Sequence, residues 1–307
     1  MLKNFKYGGH WGPVFIIIAA LLWAFDGLIR QHLYSLPPIT IIFFEHLIGL
    51  IILSPFVFKY VLNTKLTPRE WWLIILIAVL SGLLGTLWFT TALGKVHFIT
   101  ISVVFLLQKL QPIFAITTAA IFLKEKFDNR YIKWALLAII SAYFVTFSNG
   151  IVNLQTGEGT IIAALYALGA AFAWGSSTTF SKMLLGKVRA EVSTFYRFLF
   201  TLIVALPLVL LYGKTAGGSL ALPNVSQLNL LILIAVSTGM VALLIYYKGL
   251  AKTPVHISTI LELTFPFVAI LLDFIVNHTV LSLTQWLAAI ILVFSIYQIA
   301  RLRENII

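Results

Sequence analysis

The chain has 307 residues, of which 61% are hydrophobic and only 10% are charged. A soluble domain carries roughly 25% charged residues, so this composition excludes a water-soluble fold. The formal net charge is +11, but the basic residues stand almost wholly between apolar runs, which indicates membrane topology and lipid head groups rather than nucleic-acid binding. There is no cysteine and the six histidines are scattered, so we expect no disulfide, metal site or cofactor.

Apolar runs between polar breaks have the length of spanning helices, because about 20 apolar residues cross the hydrocarbon core of a bilayer. The runs do not alternate polar and apolar residues as the strands of a membrane barrel do. The predicted fold class is therefore an all-α integral membrane protein with ten transmembrane helices. In chain order the runs are 13–33, 39–61, 71–93, 98–123, 131–148, 160–181, 191–211, 228–250, 255–276 and 284–300.

The basic residues also predict the orientation of these helices. If the N-terminus is inside, the inner segments hold sixteen Lys and Arg residues, and the outer segments hold three, namely Arg30, Lys95 and Lys214. Cytoplasmic loops carry such an excess of positive charge, so we expect a multi-pass protein of the cytoplasmic membrane with both termini in the cytoplasm. Membrane lipids then surround it, and we expect neither nucleic acid nor an obligate protein partner.

The two halves of the chain contain an internal repeat. Trp23 aligns with Trp174, and Pro112 of the fourth run aligns with Pro266 of the ninth. Each half holds five predicted helices, and because five is odd, the second half must cross the membrane in the inverted orientation. Inverted repeats are characteristic of secondary transporters, which bind substrate at midplane between the repeats.

The polar stretch between the halves supplies the predicted boundaries. It is rich in glycine and polar residues, as expected of a connecting segment. We predict a first repeat at 1–149, a linker at 150–159 and a second repeat at 160–307, with a central cavity between the repeats.

Short motifs occur in the same order in both halves. The first half contains Ala92-Leu93, Gln111-Pro112 and Leu123-Lys124-Glu125-Lys126, and the second contains Gly249-Leu250, Phe265-Pro266 and Asn277-His278-Thr279. This order resembles the drug/metabolite transporter superfamily in its ten-helix EamA branch, which has Ala-Leu, Glu-Pro and Leu-Gly-Glu-Arg at these places. Gln111 stands where that family has glutamate, and residues 277–279 replace its acidic closing motif.

The resemblance implies a carrier of small metabolites that works by alternating access. Members of this branch include exporters of amino acids, so we expect a secondary active exporter of amino acids or related zwitterions. An exchanger of anionic metabolites, such as phosphorylated sugars or nucleotide-linked compounds, is the first alternative. An intramembrane enzyme and a channel are alternatives from other classes. No GxxxxGKS loop occurs, so ATP is not expected to drive transport directly.

The fourth run carries polar residues at mid-membrane, namely Gln108, Lys109 and Gln111, followed by Pro112. An ionisable group at this depth is costly and therefore normally faces a cavity or a partner. The proline frees a backbone carbonyl that another group must satisfy. We predict that Lys109 binds a substrate carboxylate, with the two glutamines beside it in the substrate site.

The remaining buried charges fall into two groups by depth. Asp26 and Arg30 are four residues apart on one helix face, and Glu45 lies at a similar depth, which predicts an outer cluster. Arg197 and Glu262 lie at similar depth towards the inner side, which predicts an inner pair. Asp26 or Glu262 would face a substrate amine. The two groups could be gates or proton-coupling groups, or fixed ion pairs that hold helices in register.

Aromatic and hydroxyl side chains complete the candidate substrate site. Trp23 and Trp174 are related by the repeat and open each half, so we expect both to contact substrate. Tyr196 and Tyr246 are further candidates for stacking, and Ser177 is a candidate hydroxyl ligand. The competing interpretation is that these residues only pack helices together.

Overall fold

The structure, a computed structural model, describes residues 11–95, 107–108, 110–152, 160–215, 218–276 and 280–302. The protein is 84% helical, without strands in this part of the chain. The first half contains α1 (Trp11–Arg30), α2 (Pro38–Asn63), α3 (Pro68–Ile77), α4 (Thr86–Lys95), α5 (Gln111–Thr118) and α6 (Asn129–Thr146). The second half contains α7 (Thr160–Leu185), α8 (Ala190–Tyr212), α9 (Val225–Val236), α10 (Met240–Lys252), α11 (Val255–Leu261), α12 (Thr264–Val276) and α13 (Leu283–Leu302).

These helices confirm the predicted all-α membrane fold. The crossings number ten over the described ranges, because α3 with α4, α9 with α10, and α11 with α12 each form one interrupted crossing. Local sequence explains where helices start. Thr67 and Glu70 form a capping box at α3, and Asp128 accepts the backbone N–H of Tyr131 at the start of α6.

The two halves pack against each other throughout their length. Helix α1 packs on α10, α2 packs on α8, and both α4 and α5 pack on α7. Each of these pairs joins the first half to the second, so the space between them is a boundary between the predicted repeats.

The third crossing contains a π-helical segment, Ala78–Gly85, between α3 and α4. A π-helical turn shifts the backbone hydrogen bonds by one residue, which makes some carbonyls available to other donors. The indole of Trp174 donates to the carbonyl of Ser81 at 3.3 Å, and the Thr201 hydroxyl donates to the carbonyl of Ala78 at 3.3 Å. Both donors come from the second half, so the irregular turn ties the halves together.

The ninth predicted run is not one helix, because α11 ends at Leu261 and α12 begins at Thr264. Pro266 has no N–H, so the carbonyl of Glu262, four residues earlier, lacks its normal helical donor. The N–H of Phe265 donates to that carbonyl at 2.9 Å instead. The break places Glu262 between two half-helices, an arrangement that transporters use at their binding sites.

The eighth run is also broken, between α9 and α10. Ser237 has φ −128° and ψ −83°, and Gly239 has φ −87° and ψ −100°, neither of which is helical. A Cβ atom built on Gly239 would lie 3.2 Å from a carboxylate oxygen of Glu45. Glycine therefore permits the broken crossing to approach the buried charges of α2.

Contacts between helix ends define two sides of the molecule. On one, here the Arg30 side, α1 ends and α2 begins. On the other, the Glu70 side, Glu70 in the first turn of α3 forms a salt bridge of 3.3 Å with Lys187, which lies between α7 and α8. That the Glu70 side faces the cytoplasm stays a prediction.

Buried contacts join the halves on the Glu70 side, and we call them the junction clamp: Glu125 of the first half with Val255 and His256 of the second. Glu125 accepts the backbone N–H groups of Val255 at 2.8 Å and His256 at 3.1 Å, and contacts the His256 ring at 2.5 Å. Burial tends to raise the pKa of the Glu125 carboxyl, but these hydrogen bonds outweigh it and hold the pKa below its usual value.

Lys182 corrects one assumption of the sequence analysis, which counted it among the basic residues of a loop. The residue lies inside α7 and is fully buried. Its ammonium group donates to the carbonyls of Leu250 at 2.7 Å and Ala251 at 3.0 Å, which belong to the last turn of α10. A cation at this position satisfies helix C-terminal carbonyls and complements the helix dipole.

Candidate functional site

A cavity of about 300 Å³ lies between the halves, lined by residues of both. Most of the residues predicted for substrate binding or gating line it, namely Trp23, Asp26, Arg30, Glu45, Gln108, Gln111, Trp174, Ser177, Arg197, Tyr246 and Glu262. Lys109, the predicted carboxylate anchor, lies outside the described residues. The clustering arises because the broken crossings and the first helix of each half meet at the same place.

The predicted outer cluster is present as a network of direct contacts. Arg30 Nε donates to Asp26 at 2.6 Å, and a second nitrogen donates to the other oxygen of the same carboxylate at 3.1 Å. A third nitrogen of Arg30 donates to Glu45 at 3.0 Å. The Arg30 side chain is 10% exposed, so its charge is satisfied almost wholly by these two carboxylates.

The second half reaches this cluster through the broken crossing. The hydroxyl of Thr238, between α9 and α10, donates to Asp26 at 2.7 Å. Thr238 therefore links the break to α1. The charge network on the Arg30 side thus includes groups from both halves.

The predicted inner pair is wrong as a direct ion pair. In the described structure Arg197 has no carboxylate within salt-bridge distance, and instead donates to the Tyr247 hydroxyl at 3.2 Å. Glu262 accepts the Tyr246 hydroxyl at 2.6 Å and the Gln111 amide at 3.2 Å. Arg197 and Glu262 therefore each bond to one of two adjacent tyrosines of α10, and not to each other as their similar predicted depth suggested.

Arg197 retains unused hydrogen-bonding capacity. Its Nε is buried and has no acceptor among the residues that the structure describes. The Ser177 hydroxyl, on a residue 1% exposed, likewise has no partner there. Both residues line the cavity.

Two aromatic pairs line the cavity, and each joins the halves. The rings of Trp23 and Tyr246 are 5.1 Å apart, and those of Phe89 and Trp174 are 5.2 Å apart. Both pairs are tilted, as aromatic contacts in protein interiors often are. The repeat-related tryptophans both line the cavity, each with a partner from the other half, and that they contact substrate stays a prediction.

Tyr196 does not line the cavity as its sequence position suggested. Its ring packs against Trp71 at 5.0 Å, and against Phe195 and Phe200 at 5.5 and 6.5 Å. The neighbouring Arg197 does line the cavity. Adjacent helical residues point about 100° apart, which is why the two side chains face different surroundings.

The sequence analysis did not select several cavity residues, among them Phe89 and Thr238. Thr238 had a usable signal, because Ser237-Thr238-Gly239 interrupts a long apolar run with three small residues. Tyr247 adjoins the predicted Tyr246, but the sequence gives no sign that it bonds to Arg197. Phe89 is one of many aromatic residues, and composition alone cannot single it out.

The charges of the cavity are mixed. Its described lining contains the carboxylates of Asp26, Glu45 and Glu262 and the guanidinium groups of Arg30 and Arg197. Basic groups without carboxylates would favour an exchanger of anions, so this mixed lining does not favour that alternative. Broken helices, mixed polarity and a cavity between two packed halves define a membrane transporter of small molecules.

The chain belongs to the EamA-like transporter family, which matches residues 10–147 and 161–301. A protein of Fusobacterium nucleatum subsp. nucleatum named riboflavin transporter ImpX is 34% identical over 295 residues, 95% of this chain and 98% of that protein. A solved crystal structure with 15% identity and a TM-score of 0.76 covers 96% of this chain and 98% of its own, which supports the fold. The predicted family is confirmed, and the protein is a transporter rather than an enzyme.

Proposed function

We propose that this protein transports riboflavin or a closely similar metabolite that combines a flat heteroaromatic ring with a hydroxylated chain. The observation that carries the proposal is the presence of the pairs Trp23–Tyr246 and Phe89–Trp174 in one cavity. A flat ring system can stack on such side chains, and stacking of a nucleic-acid base on an aromatic residue contributes on the order of 1–3 kcal/mol.

The polar lining suits the rest of such a molecule. Ligand pockets are mostly apolar, with a few polar groups that fix orientation. Hydroxyls are numerous among the lining residues, which include Thr90, Ser177, Thr178, Ser181 and Thr259. The ribityl chain of riboflavin carries several hydroxyls that both donate and accept hydrogen bonds, so it complements this lining. The similarity to a protein named as a riboflavin transporter supports the same choice of substrate.

Alternating access is the mechanism that we propose. On the Arg30 side, Asp26, Arg30 and Glu45 would form one gate, and on the Glu70 side the junction clamp would form the other. Both sets contain contacts between the halves, through Thr238 in the first and through Glu125 in the second. Opening either side requires those contacts to break while the contacts of the opposite side hold.

Export of amino acids is the second candidate. The observation that favours it is that Arg197 and Glu262, of opposite charge, both line the cavity without bonding to each other. A zwitterion presents a carboxylate and an ammonium group, which these side chains could bind. The predicted anchor Lys109 would belong to the same site under this candidate.

Counterflow in proteoliposomes tests the two candidates directly. Vesicles loaded with unlabelled riboflavin, single amino acids or organic phosphates are offered the matching labelled compound, and accumulation is followed in time. We expect accumulation with riboflavin, reduced about tenfold or more by Trp23→Leu and by Trp174→Leu. Accumulation with amino acids alone would refute the flavin proposal and support the zwitterion candidate.

Two additions sharpen this experiment. Trp72 is 72% exposed and away from the cavity, so Trp72→Leu is the matched control and should transport normally. Direction is tested in whole cells by comparing uptake with efflux of preloaded riboflavin, because export predicts faster efflux in cells that contain the protein. Equal loss in all three tryptophan variants would indicate a general effect on folding and would contradict the proposed stacking.

A further inference from the structure

The side chain of Arg197 has more donors than the protein uses. One nitrogen donates to the Tyr247 hydroxyl at 3.2 Å, and the guanidinium lies 5.9 Å from the centre of that ring. Its buried Nε has no acceptor within the described part of the chain. A buried donor without an acceptor costs about 1–3 kcal/mol, so an unmet donor on a residue that lines the cavity calls for an explanation.

Arg197 lies at one end of a row of aromatic rings. Trp23 and Tyr246 are 5.1 Å apart, Tyr246 and Tyr247 are 6.1 Å apart, and Arg197 donates to Tyr247. A flat molecule that contacts Trp23 and Tyr246 therefore has the guanidinium on the side of Tyr247. Arg197 is partly exposed and lines the cavity, and its guanidinium has donors only, so the group that this molecule directs towards it must be an acceptor.

We infer that Arg197 binds the carbonyl edge of a pyrimidinedione ring, and that it is the specificity-determining residue for ring chemistry in this cavity. The inference rests on the proposed function and names the part of the flavin that the protein recognises. A guanidinium is planar and has no acceptor, so it matches a planar group with exposed carbonyl oxygens better than a flexible chain of hydroxyls.

A second side chain supports this assignment. The pyrimidinedione edge offers an imide N–H beside its carbonyls, so it needs an acceptor as well as a donor. Glu262 accepts from the Tyr246 hydroxyl at 2.6 Å and lines the same cavity, so its carboxylate lies next to the row of aromatic rings. Carboxylate oxygens accept more than one hydrogen bond, which leaves capacity for an imide.

Two tricyclic probes separate recognition of the edge from stacking. Lumichrome has the pyrimidinedione but lacks the ribityl chain, and phenazine has a similar flat shape without carbonyls. Binding of each to purified protein is followed by quenching of tryptophan fluorescence, which requires no transport. We expect Arg197→Leu to weaken lumichrome about tenfold or more, the usual effect of losing a hydrogen bond to a charged group, and to leave phenazine unchanged.

Control variants guard against loss of fold. Arg197→Lys retains the charge and should weaken lumichrome less than the leucine variant. Arg189 is an exposed arginine at the start of the same helix, where it contacts Glu191, so Arg189→Leu should alter neither probe. Gel filtration and thermal unfolding establish that each variant is folded.

The outcomes distinguish this inference from the proposed function. If Arg197→Leu weakens both probes equally, or neither, then Arg197 does not recognise the carbonyl edge, even where riboflavin is transported. If wild type binds lumichrome with the expected dependence on Arg197 but moves no riboflavin, the edge is recognised and the transport proposal fails. If wild type binds neither probe, the inference about Arg197 is overturned, and counterflow with riboflavin alone decides the transport proposal.

Discussion

Two arginines line the same cavity but are held in different ways. Arg30 makes three hydrogen bonds to two carboxylates, Asp26 and Glu45, and is almost wholly buried by them. Arg197 makes one hydrogen bond to a phenol and keeps a buried nitrogen without an acceptor in the described residues. The charge of Arg30 is thus used by the protein itself, whereas that of Arg197 is available to a ligand.

The difference shows that charged residues of one membrane cavity can have separate roles, some holding helices in position and others binding a ligand. A buried charge with its full set of partners fixes the relative positions of helices, and removing one partner leaves the others uncompensated. A partly exposed charge with a single neutral partner, such as that of Arg197, does not fix the positions of helices by ion pairing. The remaining donors of Arg197 need a ligand or a water molecule to complete their hydrogen bonds.

The largest expected effect is on the Arg30 side. Arg30→Met leaves the carboxylates of Asp26 and Glu45 buried without a cation, so we expect a loss of about 3–5 kcal/mol in the free energy of unfolding. Arg197→Met removes a charge that has no carboxylate partner among the described residues, and should cost under about 1 kcal/mol. Both are measured by reversible unfolding in detergent micelles.

A compensating variant tests the cause. Adding Asp26→Asn and Glu45→Gln to Arg30→Met removes the uncompensated charges and should restore most of the lost stability. If Arg197→Met proves as destabilising as Arg30→Met, the distinction between the two arginines is wrong.

The junction clamp extends the comparison to Glu125, a carboxylate whose two oxygens both accept hydrogen bonds from the other half. Glu125→Ala leaves the N–H groups of Val255 and His256 without their acceptor, so we expect a loss of about 1–3 kcal/mol in unfolding free energy. Glu125→Gln keeps the shape and loses the charge, so it should cost less. Denaturant unfolding at pH 7 measures both.

The pH dependence of the same residue has a definite sign. Because the hydrogen bonds lower the pKa of Glu125 in the folded protein, the carboxylate stabilises the fold at pH values above the ordinary value of 4.5. The advantage of wild type over Glu125→Gln should therefore shrink as the pH falls below 4.5 and through the lower pKa of the folded protein. An advantage that grows as the pH falls below 4.5 would contradict the assignment.

Glu262 is the carboxylate counterpart of Arg197, since its hydrogen-bond partners among the described residues are a phenol and an amide. Glu262→Gln keeps a group of the same shape, so we expect the unfolding free energy to change by under about 1 kcal/mol. Substrate counterflow should fall about tenfold if the carboxylate accepts the imide N–H, a hydrogen bond to a charged group. A large loss of stability with normal transport would place Glu262 with Arg30 among the structural charges.

The fold and the contents of the cavity followed largely from the sequence. Long apolar runs predict spanning helices because the bilayer demands them, and an ionisable residue within such a run must face a cavity or a partner. The contacts of Asp26, Arg30 and Glu45 followed from helical spacing and depth. In a spanning helix, the position of a residue along the sequence fixes both its depth in the membrane and the face of the helix on which it lies.

The partners of Arg197 and Glu262 did not follow from the sequence. Depth in the membrane places two side chains at one level but does not fix the direction in which each faces around the helix bundle. In the structure Arg197 bonds to the Tyr247 hydroxyl and Glu262 to the Tyr246 hydroxyl instead of to each other. The breaks near Gly239 and Leu263 also depend on tertiary contacts, although Pro266 gave a local reason for the second.

Tyr196 gives the smallest expected effect and tests the same limit. The sequence put it in the substrate site, whereas its ring packs on Trp71 outside the cavity. Its hydroxyl has no hydrogen-bond partner in the described structure, so Tyr196→Phe should leave riboflavin counterflow and unfolding free energy unchanged within about 0.5 kcal/mol. Tyr246→Phe, which removes a hydrogen bond to Glu262, is the matched comparison and should reduce transport. If Tyr196→Phe impairs transport as much as Tyr246→Phe, the substrate reaches beyond this cavity during the transport cycle. The conclusion that Arg197 contacts substrate while the neighbouring Tyr196 does not would then be wrong.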